Sequence, residues 1–76
     1  MSYEWGVRLP ELNRMRLRKA LSKSELARLA GISRSTVIRA DNGETVSFIN
    51  ARKLAEALGV SVEELQGEDD PLEAVG

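Results

Sequence analysis

Serines and glycines punctuate this chain so regularly that they leave little choice of fold. Leu21-Ser22-Lys23-Ser24-Glu25-Leu26 fits a capping box. In that arrangement the Ser22 hydroxyl accepts an otherwise unpaired N–H and Glu25 reaches back to the Ser22 N–H, while Leu21 and Leu26 form the flanking apolar staple. Val60-Ser61-Val62-Glu63-Glu64-Leu65 repeats the grammar, and Ile32-Ser33-Arg34-Ser35-Thr36-Val37 gives a partial version with Thr36 in place of the Glu. Ser47 caps a fourth start, with Val46 and Ala51 as its staple. The stops agree: Gly31, Gly43, Gly59 and Gly67 each fall where a helix needs a terminal residue of positive φ. Ahead of these, Pro10 suits the first turn of a helix whose Leu9, Leu12, Arg16, Leu17 and Ala20 fall near one face. The pattern predicts five helices, over about 9–20, 23–30, 34–41, 48–58 and 62–66. No stretch alternates as a strand would, so the expected class is all-α.

Seventy-six residues allow one domain with one modest core. The chain is 42% hydrophobic but only 4% aromatic, so that core must come from Leu, Val, Ile and Ala. Without Cys there are no disulfides or thiolate metal sites, and without His the commonest general base and metal ligand are missing. The serines are accounted for as caps and have no imidazole to activate them, so an enzyme is not expected. Neither metal nor cofactor is expected; Glu68-Asp69-Asp70 lacks the spacing of an EF-hand loop. No apolar run is long enough to span a membrane and no signal-peptide pattern opens the chain, which implies a cytoplasmic protein.

The net charge of −1 hides a division. All eleven basic residues lie between Arg8 and Lys53; residues 1–53 also hold five acids, giving +6, and residues 54–76 hold seven acids and no base, giving −7. This suggests a basic working surface followed by an acidic tail, or two solvated faces of opposite sign. The expected layout is an N-terminal arm (1–8, with Tyr3 and Trp5 covering a helix end), a folded domain (9–66) and an acidic tail (67–76).

The second and third helices are two turns each, joined by Gly31-Ile32-Ser33. Two short helices with a glycine-bearing tight turn form a helix-turn-helix. Ala27 is small enough to let the axes approach, and Leu26, Ala30, Ile32, Val37 and Ala40 supply the buried side. Arg34, Ser35, Ile38 and Arg39 are left on the outer face of the third helix. Two arginines and a serine presented this way suit the DNA major groove.

Leu26-Ala27, Gly31, Ser33, Thr36-Val37, the close Asp41-Asn42-Gly43, and Leu54-Ala55 through Leu58-Gly59-Val60-Ser61 together resemble the phage Cro and C1 repressor-like helix-turn-helix domains. The resemblance spans roughly residues 9–66. It implies a compact five-helix, lambda-repressor-like fold that binds double-stranded DNA, usually as a dimer on a palindromic operator, as a transcriptional regulator and most often a repressor. Carried over by position, it implies base reading by Arg34, Ser35 and Arg39, and phosphate contacts from Lys23, Ser33 and Asn42. It also implies a structural ion pair between Arg16 and Asp41.

Two departures stand out. The loop after the third helix, Glu44-Thr45-Val46-Ser47, carries an acid where the family often has a base, and Ala40 is smaller than the usual aliphatic residue, leaving room for Met15 or Phe48. A protein-interaction module on the same scaffold, such as an antitoxin or anti-repressor subunit, is the alternative that Glu44 and the acidic tail favour. A homodimer would use residues 58–66, where Val60, Val62 and Leu65 cluster; the same residues could instead close the monomer core.

Overall fold

The computed structural model describes residues 6–67. Its elements run β1 (Gly6–Val7), α1 (Leu12–Arg18), α2 (Lys23–Ala30), α3 (Arg34–Asp41), β2 (Val46–Ser47), α4 (Phe48–Leu58) and α5 (Val62–Gln66). Tyr3, Trp5 and residues 68–76 of the acidic tail lie outside the described residues.

Four of the five helices begin where a serine caps them. Ser22, Ser33, Ser47 and Ser61 each have extended backbone, and each hydroxyl accepts the N–H three residues on. The boxes at Ser22–Glu25 and Ser61–Glu64 are reciprocal, with the serine N–H donating to the glutamate at 2.8 and 3.0 Å. The four predicted stop glycines all take positive φ.

The cap at α2 sets a testable stability effect. The Ser22 N–H and hydroxyl, with help from Arg28, hold the Glu25 carboxyl below its ordinary value. The stabilisation tied to that charge is therefore present above the ordinary carboxylate range and is lost as pH falls through the lowered value. Ser22→Ala is expected to cost about 1 kcal/mol, a fall of about 4–8 °C in Tm for a domain of this size. Glu25→Gln should flatten the acid limb of stability against pH; thermal melts of both variants across acid pH check this.

The first helix differs from expectation. It is shorter than 9–20, and Pro10 stands in the turn ahead of it instead of inside it. The residue before a proline avoids helical backbone, so Leu9 stays outside α1 and packs into the core from a turn closed by Leu12 N–H to the Leu9 carbonyl. At the far end Ala20 takes φ +56, while the Ala20 and Leu21 N–H groups return to the Leu17 and Arg16 carbonyls. This is a left-handed helix stop made without glycine. The inward stripe of α1 is Leu12, Met15 and Arg16; Leu17, predicted inside, is exposed.

The sequence also gave no sign of strands, yet β1 and β2 pair antiparallel, Gly6 opposite Ser47 and Val7 opposite Val46. Two residues per strand are too few to show alternation. Tertiary contact makes the ladder instead: Val46 is buried in the core with Val7 packed against it, and Gly6 allows a close approach, since a Cβ there would stand 3.1 Å from the Thr45 Cβ. The ladder joins part of the expected arm to the domain.

The core is aliphatic. Leu9, Leu12, Leu26, Val37, Leu54, Leu58 and Leu65 are fully buried, each worth about 1.5–3 kcal/mol relative to exposure. Ala27 and Ala40 are buried too, and Ala30 and Ile32 pack half-buried against them. Met15 packs half-buried against this core, and Phe48 is exposed and does not fill space beside Ala40. Leu58 and Leu65 are used inside the monomer, with Val60 and Val62 half-buried beside them.

Candidate nucleic-acid interface

The α2–turn–α3 unit owes its geometry to local bonds. The Ile32 N–H closes α2 onto the Ala27 carbonyl at 3.0 Å, and Ser33 at once caps α3. Val37 and Ala40 then face inward, which turns Arg34, Ser35 and Arg39 outward along α3. All three base-reading candidates are exposed, and Arg34 has no carboxylate partner among the described residues. Ile38 is half-buried, less outward than its neighbours.

The phosphate candidates have different surroundings. Asn42 is exposed just beyond α3. The Ser33 hydroxyl is engaged locally, accepting from the Thr36 N–H at 3.2 Å and lying 2.9 Å from the Thr36 hydroxyl. Lys23, in the first turn of α2, has its Nζ 3.8 Å from Asp41 Oδ2.

Asp41 is the hub behind this face. Arg16 approaches side-on, Nε 3.4 Å from Oδ1 and a terminal guanidinium nitrogen 3.3 Å from Oδ2. The other guanidinium arm donates to the Leu21 carbonyl at 2.8 Å. The two side chains are only 8% and 5% exposed. The Asn13 amide donates to Asp41 Oδ2 at 3.0 Å, a contact the sequence reading missed because nothing local marks it. No buried side-chain nitrogen or oxygen among the described residues lacks a partner, as a buried charge cluster requires. One carboxylate at the end of α3 thus ties together α1, the α1–α2 turn and the start of α2.

Glu44, the acid that stands where the family often has a base, has a partner on α3 not foreseen from the sequence. It lies beside Arg39, Oε1 to Nε 3.6 Å, both side chains more than half exposed. The sequence did carry a signal for this: a glycine stop at Gly43 brings the following residue back over the last turn of the helix.

No helix among the described residues is long and apolar enough to cross a membrane. The folded face presents outward arginines on α3, a lysine in the first turn of α2, an asparagine just beyond α3, and a buried ion pair fixing α3 behind them. The fold that carries this face is shared with known proteins. A solved structure titled as a hypothetical transcription factor, NHTF, from Neisseria is similar at TM-score 0.67 and 29% identity, over 88% of this chain and 82% of that one. No curated protein matches the chain. The helix-turn-helix family profile matches residues 12–65, nearly all of the described fold. The chain belongs to the Cro/C1-type helix-turn-helix family of DNA-binding regulators.

Proposed function

We propose that this protein is a sequence-specific transcriptional repressor that places α3 in the major groove of a palindromic operator. The observation that carries the reading is the joint exposure of Arg34, Ser35 and Arg39 on a helix whose opposite face is core. Arginine forks match the O6/N7 pair of guanine, and serine pairs with several bases. Lys23 and Asn42, at the two ends of the motif, contact phosphate; Ser33, its hydroxyl already engaged, contributes less than its position in the family implies. Lys23 can exchange Asp41 for phosphate cheaply, because Arg16 and Asn13 continue to satisfy that carboxylate.

One α3 reads half an operator, so two copies act together. They pair through residues 58–66, where Val60 and Val62 keep part of their apolar surface. With Leu58 and Leu65 committed to the monomer, little area remains for this contact, so the pair is weak in the absence of DNA.

The test is binding to random and to selected palindromic duplexes as salt is raised. Affinity for both should fall steeply through counterion release, and sedimentation at saturation should show two chains on each palindrome. Negligible binding to any duplex at low salt would instead point to the protein-interaction module. One chain per palindrome would remove the dimer.

A further inference from the structure

We infer that Glu44 is a specificity-determining residue, an internal stand-in for phosphate that keeps Arg39 off the DNA backbone until the right base is present. This rests on Arg39 being a base reader. The placement of Glu44 comes from the backbone and does not depend on the ion pair. As α3 ends, the Gly43 N–H reaches the Ala40 carbonyl at 3.1 Å and the Glu44 N–H reaches the Arg39 carbonyl at 3.0 Å, with Gly43 at φ +90. That reciprocal pair is a Schellman closure, which sets the side chains of its two outer residues against each other, most often as an apolar contact. Here the two are Arg39 and Glu44. Because the turn fixes the Glu44 backbone, its side chain stays rooted within reach of Arg39 even when the guanidinium leaves.

The pair is suited to exchange. Arg39 is 59% and Glu44 57% exposed, and solvent-exposed pairs of this kind are individually weak. Arg39 also lines an open cleft of about 270 Å³ with Thr36, Thr45, Ser47 and Asn50, so its side chain has room to move. On random DNA the available partner is a phosphate, a single charge no better than the carboxylate already at hand. On the preferred site a base edge offers two directed hydrogen bonds, for which the exposed pair can open. Glu44 therefore penalises backbone attachment more than base reading.

The experiment compares Glu44→Gln with the unmodified chain on a duplex obtained by in-vitro selection and on random duplex, across a salt series. Glu56→Gln, an exposed acid on α4, controls for net charge. Glu44→Gln should raise random-duplex affinity about three-fold more than selected-duplex affinity, the size of one exposed charge pair. The salt slope on random DNA should steepen by about 0.9, one added phosphate contact. Glu56→Gln should leave the affinity ratio unchanged, and in an Arg39→Ala background Glu44→Gln should lose its differential effect. Equal gains on both duplexes, or the same shift from Glu56→Gln, overturn the role of Glu44. If Arg39→Ala itself leaves the ratio intact, the base-reader assignment has failed first, and the role of Glu44 falls with it.

Discussion

Replacing Arg16 by methionine is expected to destabilise the domain by about 3–5 kcal/mol, enough to unfold a large fraction of so small a protein. The reason lies in what remains. Asp41 is almost entirely buried, and without the guanidinium it keeps only the Asn13 amide at 3.0 Å and Lys23 at 3.8 Å. The Leu21 carbonyl loses its donor at the same time. The double variant Arg16→Met, Asp41→Leu should recover much of the loss, since two apolar side chains leave no unpaired charge. It should also release Lys23 from Asp41. Urea unfolding at neutral pH of the two single variants and the double provides the cycle. A double variant as unstable as the sum of the singles would show that the pair acts through something other than mutual charge compensation.

Arg39→Ala and Lys23→Ala should separate reading from holding. Loss of a base contact costs roughly 1–3 kcal/mol on the preferred site and relaxes sequence preference there. Loss of a phosphate contact weakens every sequence about equally and lowers the salt slope by about one unit. Arg39→Ala should therefore reduce selected-duplex affinity by about 5- to 150-fold, with a much smaller loss on random DNA. Lys23→Ala should move both together. Titration of the two variants against both duplexes decides; parallel losses for both variants would end the assignment of Arg39 as a reader.

How legible was this protein before its structure? The starts of α2 to α5 rest on bonds spanning three residues, Ser22 to Glu25, Ser33 to Thr36, Ser47 to Asn50 and Ser61 to Glu64. Their stops rest on glycines whose φ is a property of the residue itself. Such interactions close within one helical turn, so the residue string contains both partners in order, and the helical bounds and the outward face of α3 follow from it. The Arg39–Glu44 contact belongs to the same class, though reading it requires following the turn at Gly43 through to the side chains it joins.

Other features depended on chain segments that meet only after folding. Gly6 and Val7 become a strand because Val46 and Ser47 are there to pair with them. Asn13 finds Asp41 across 28 positions of sequence. The apolar residues of 58–66 illustrate the same limit: their hydrophobicity is plain from the sequence, but burial of Leu58 and Leu65 depends on how α4 and α5 pack. Apolar character specifies that a side chain leaves water, and only the tertiary arrangement decides which surface receives it.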